Sequence, residues 1–101
     1  RKKLTVKDAC DNYINAKQRA LNTTTGYERF RDDHLADWHI LQLAGITEDD
    51  VEELFDQITE ETGPVAANNV LRFFRAVWKH HRRRRDLFPK YRIYFSSYIL
   101  R

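Results

Sequence analysis

Three glycines and two prolines are spread over 101 residues. That leaves little material for the tight turns that an all-β chain needs. Cys10 is the single cysteine, so no internal disulfide is possible and a reducing compartment fits. It shares an apolar helical face with Val6, Tyr13 and Ile14, which reads as a buried structural thiol rather than a nucleophile. No apolar run approaches the roughly 20 residues of a membrane span, and no signal peptide is visible. His34 and His39 lie five apart, a poor helical pair for a metal, and no cysteine cluster joins them. Neither a metal nor a cofactor is expected.

What is present points to one small all-α domain. The length suits a single domain. Thirteen aromatic residues give its core bulk. Charge is unevenly spread along it. Residues 1–63 carry eight Lys/Arg against fourteen Asp/Glu, net −6, and residues 64–101 carry ten against one, net +9. A basic segment beside an acidic body points to a polyanionic partner, although charge alone does not separate nucleic acid from an acidic membrane. Arg1, Lys2 and Lys3 add a short basic arm. The abrupt start and stop read as a piece of a longer, cytoplasmic protein.

The most informative stretch is 63–86, GPVAANNVLRFFRAVWKHHRRRRD. Gly63 suits the residue after one helix and Pro64 the first residue of the next. Ala67, Val70, Leu71, Phe74, Val77, Trp78 and His81 recur at helical spacing and predict one apolar face. Asn68, Arg72, Arg75, Lys79 and Arg82 recur on the opposite face. A solvated charged face is the plain alternative, but such faces mix signs. No acid occurs between Pro64 and Arg85. The periodicity fails where Arg84 and Arg85 would turn inward.

The remaining helices are read from their caps. Thr5 with Asp8 opens helix one, which is expected to run to about Ala20 or Leu21. Any of Asn22 to Thr25 is able to cap helix two, which carries Tyr27, Phe30, His34 and Leu35 inward and ends near Ala36. Thr23, Thr24 and Thr25, with the amides of that helix start, are able to hold a phosphate; plain capping is the simpler reading of the segment. Trp38, Ile40, Leu41 and Leu43 are expected to plug the core from the following loop. Thr47 and Asp50 form a capping box for helix three, with Ile46 and Val51 as a hydrophobic staple. Its inner face is Val51, Leu54, Phe55 and Ile58. Glu52, Glu53, Asp56, Glu60 and Glu61 point outward as a solvated acidic face, away from any polyanion. Residues 90–101 alternate aromatic and polar side chains and are read as a tail or linker after a domain at 1–89.

In order, the segments LTVKDACDNYINAK, TTTGYERFRDDHLADW, GITEDDVEELFDQI and GPVAANNVLRFFRAVWKHHRRR resemble the core-binding domain of phage integrases, the tyrosine recombinases. The resemblance covers residues 4–85. Its most specific parts are the Ala-Asn-Asn run of helix four, the L-x-x-W ending helix two and the I-T-x-x-D-V opening helix three. It implies a SAM-like four-helix orthogonal bundle, N-terminal to a separate catalytic domain, the two clamping a DNA duplex. It also implies that helices two and four face the DNA. The catalytic Tyr, Arg, Lys and His set belongs to that other domain. His80-x-x-Arg83 and His81-x-x-Arg84 copy a spacing of the family, but basic runs produce it by chance, and Tyr91, Tyr94 and Tyr98 are not nucleophile candidates. The tail after Pro89 departs from the family's usual lead into the catalytic domain.

The expected function is therefore a non-catalytic module that binds double-stranded DNA at an attachment or recombination site. Its further partners would be the catalytic domain of the same chain and other copies on DNA. The expected contacts are Thr23, Thr24, Thr25, Asn68, Asn69, Arg72, Arg75, Lys79, Arg82 and Arg83. Asn68, Asn69 and Arg72 are the candidates for base edges. A helix-turn-helix regulator turning at Glu61–Pro64 is a second reading. A helical protein-interaction module docking a basic partner on helix three is a third.

Overall fold

A computed structural model describes residues 4–81. Four α-helices carry the described residues: α1 (Val6–Asn15), α2 (Leu21–Arg29), α3 (Glu48–Glu61) and α4 (Pro64–His81). Among the described residues there is no strand, only one isolated antiparallel bridge between Thr5 and Gln42. The all-α expectation holds.

The apolar face expected of α4 is the centre of the core. Ala67, Val70, Leu71, Phe74, Val77, Trp78 and His81 are all buried. α4 packs most extensively on α3 and next on α1. Val6, Ala9, Cys10 and Ile14 of α1 and Val51, Leu54 and Ile58 of α3 complete the cluster. His81 is the one buried polar side chain among the described residues, and its Nδ1–H donates to the Val77 carbonyl at 3.0 Å. That bond within its own helix satisfies a polar atom on an apolar face.

The helix ends show local chemistry at work. Thr47 accepts from the Asp50 amide at 3.2 Å, and the Asp50 carboxylate accepts from the Thr47 amide at 2.9 Å, a complete capping box. Ile46 and Val51, the two staple positions, are both buried in the core cluster. α3 closes at Thr62, and Gly63 takes φ +126°, a conformation that favours glycine. The Gly63 amide reaches back to the Ile58 carbonyl. At the start of α1, Thr5 accepts from the Asp8 amide, and the 39–43 loop supplies the rest. The Val6 amide donates to the Leu41 carbonyl at 2.8 Å and the Lys7 amide to that of His39 at 3.5 Å, while the Leu43 amide donates in return to the Leu4 carbonyl at 2.9 Å. Otherwise unpaired helix-start donors thus find carbonyls from a distant loop.

Four expectations need correction. α1 ends at Asn15 rather than near Ala20. Arg19 folds back there, and its guanidinium donates to the Ile14 carbonyl at 2.9 Å and the Tyr13 carbonyl at 3.2 Å. The Ile14 carbonyl is an orphan of the helix C-terminus and the Tyr13 carbonyl also takes the Ala16 amide at 3.3 Å, so a side chain caps a helix whose next residues have good helix propensity. α2 starts at Leu21 from Ala20, with no side-chain cap, so Thr23, Thr24 and Thr25 lie inside the helix and none caps it. α2 also does not stay α-helical to Ala36: it passes into a π turn at Phe30–His34, closed by Leu35 N–H to Phe30 O at 3.1 Å. Finally, the loop plug is only partial. Leu43 is buried and Trp38 packs edge-on to Phe74 at 5.2 Å, but Ile40 is 86 % and Leu41 41 % exposed. The loop's backbone is committed to α1, and that geometry turns Ile40 outward.

Candidate functional site

The site is built from α4. At about 100° per residue, Asn68, Arg72, Arg75 and Lys79 fall within an arc of roughly 60°. Arg72, Arg75 and Lys79 are exposed and Asn68 is half-buried. The buried residues occupy the opposite side, which fixes the rotation of the helix and points the stripe outward. Among the described residues, none of Arg72, Arg75 and Lys79 pairs with a carboxylate.

Other cations behave differently. Arg31 holds Asp11 at 2.8 Å and grips Asp32 with two bonds, at 2.8 and 2.9 Å. Lys7 holds Asp11 at 3.0 Å. These bonds raise the Arg31 pKa further above its already high value and hold the Asp32 carboxyl below its usual range. Arg31 is therefore a tie between α1 and the π turn, with its charge already neutralised locally. The three α4 cations make no such ion pair among the described residues.

Asn69 is exposed about 60° beyond Arg72, so it sits beside the stripe rather than on it. Thr23 and Thr25 are exposed and Thr24 is half-buried. α2 reaches α4 through Tyr27, whose ring lies 4.8 Å from that of Phe73. Among the described residues no hydrogen bond joins the threonines to the stripe. Arg82 and Arg83 lie outside the described residues, as does the tail at 90–101.

Sequence reasoning missed the cluster on the α1 side of α4. Phe73 is 3 % exposed and touches the rings of Tyr13, Tyr27 and Phe30 at 6.0, 4.8 and 5.8 Å. The His80 ring meets Tyr13 edge-on at 5.5 Å. Arg19 lies 4.6 Å over Tyr13 and 5.4 Å from the Tyr27 centroid. Burial pushes the Tyr27 hydroxyl pKa up, with Tyr13 adding to it. A second acid-free run, 12–27, was the available signal. It meets the acid-free α4 through Tyr13 and Tyr27.

Among the described residues, no group of three or more His, Cys, Asp and Glu is placed to hold a metal ion, and no helix is long and apolar enough to cross a membrane. Compared with known proteins, the chain matches no protein-family model, no curated protein and no solved structure.

Proposed function

We propose that this chain is a DNA-binding module of a site-specific tyrosine recombinase, the SAM-like core-binding domain of a phage-integrase type of protein. Residues 1–89 would hold duplex DNA during integration and recombination, and 90–101 would lead toward a catalytic domain. The chemistry of strand breakage belongs to that domain, and this module contributes position and affinity. The observation that carries the reading is the unpaired cationic stripe of α4, on a helix whose rotation the core fixes. Desolvating three paired cations would first require breaking their ion pairs, and among the described residues there are none to break. α3, by contrast, presents acids and would repel a phosphate backbone.

Affinity on this reading comes mainly from phosphate contacts and counterion release. Arg72, Arg75 and Lys79, with Arg82 and Arg83, give about four to six neutralised phosphates, so log K should fall against log salt with a slope of about −4 to −5. Fluorescence anisotropy of the full chain on a labelled nonspecific duplex, titrated across salt, measures it. No binding at low salt, or binding that ignores salt, overturns the proposal and favours a protein-interaction module.

A further inference from the structure

Two grooves formed by the described residues differ in charge, and the difference assigns one of them. The smaller, about 70 Å³, lies between the 33–37 segment and α3 and is lined by Asp33, Asp37 and Glu61 among others. It would repel any anion. The larger, about 470 Å³, lies between α1 and α4 and is lined, among the described residues, by Tyr13, Ala76, Lys79 and His80. Its size is within the range of small-molecule sites, about 300–1,000 Å³.

We infer that the α1–α4 groove carries a sugar–phosphate strand of the bound DNA, extending the contact of the α4 stripe; this rests on the DNA-binding reading. Lys79 belongs to both the stripe and the groove rim, so the two are continuous. Ala76 lines it with a single methyl, which takes up little of its volume. Tyr13 offers an apolar ring for a deoxyribose. Lys79 and the exposed His80 offer N–H donors for a phosphate. The wall is held in place before anything binds, because Tyr13 is fixed by Arg19, Tyr27, Phe73 and His80. Preorganised walls lower the ordering cost of binding.

Charge selects a polyanion for this groove. No carboxylate occurs in 12–27 or in 64–81, the segments that form and flank it. The nearest acid of α1 in sequence, Asp11, is tied to Lys7 and Arg31.

The test compares four variants of the full chain by anisotropy on one duplex at fixed salt. Ala76→Glu fills the groove with a negative charge, and His80→Glu places one at its exposed rim. Ile40→Glu adds the same charge on a distant exposed loop position, and Arg72→Ala weakens the stripe alone. Thermal melts by circular dichroism confirm folding, and His80, being exposed, keeps a folded groove variant available. The groove variants should each lose about tenfold in affinity, with Ile40→Glu within about twofold of the parent. If both groove variants bind like Ile40→Glu while Arg72→Ala loses affinity, the groove is not used and the stripe reading survives. If the parent chain does not bind duplex at all, both fall together.

Discussion

Arg19 donates to the last carbonyls of α1 and lies across the rings of Tyr13 and Tyr27. Arg19→Ala removes a helix cap and a cation–π contact together, and should cost about 1–2 kcal/mol. Arg19→Lys should recover only part of it, because an ammonium lacks the planar fork. Urea denaturation checks both. Cys10 is a second residue with a clear expectation. It is fully buried, and burial pushes its thiol pKa from 9.0 up to about 12. Below pH 9 the thiol is neutral in both folded and unfolded chains, and stability is unaffected. As pH rises from about 9 toward 12, the unfolded chain releases the proton and the folded one keeps it, so stability falls. Cys10→Ser should flatten that alkaline loss in melts taken across pH. A thiol reagent should also modify the native protein only at the rate of opening. Neither role of Arg19 was legible in the sequence, because the guanidinium reaches partners that the α1–α2 turn brings to it. Phe73 escaped for a related reason: a single apolar stripe was read, while α2 and α1 bury a second flank of α4.

Among the elements, α3 and α4 were the most legible. α3 carries a cap, a box partner and a staple at fixed offsets, and α4 runs eighteen residues with an uninterrupted period. Local chemistry decides such helices. α2 was the least legible, since it starts at Leu21 with no side-chain cap and passes into a π turn, neither of which follows from the capping preference of Asn and Thr. The opposite charges of α3 and α4 give an element-scale prediction. Glu53→Lys reverses a charge on an exposed residue of α3, away from the proposed DNA face. Duplex affinity in the anisotropy titration should hold or rise slightly, through net charge alone. A tenfold loss would place α3 in the interface and move the site.

For the molecule as a whole, the proposed DNA binding predicts that holding and reading separate along α4. Asn68 lies near its start and Lys79 about eleven residues, or roughly 16 Å, further on. Lys79→Ala should weaken all duplexes alike and make the salt slope shallower by about one unit. Asn68→Ala should instead narrow the gap between cognate and scrambled duplex by about 1–3 kcal/mol. Competition titration separates the two, and equal losses on both duplexes would reduce α4 to a phosphate clamp. The stripe itself was legible in the sequence, since period and charge sign are both sequence properties. Its continuation into the α1–α4 groove was not, because that surface exists only once Tyr13 meets Phe73 and His80.

The π turn at Phe30–His34 bears on how the length of this chain is able to change. A turn closed from residue 35 back to residue 30 spans one residue more than an α turn does. Loss of one codon at Asp33, an exposed position, would let the same path close as an ordinary α turn, with Phe30 and Leu35 still facing inward. The same loss inside α4 would rotate everything downstream by about 100° and carry the cations into the core. Single-codon length variation in this gene is therefore best absorbed at that one turn.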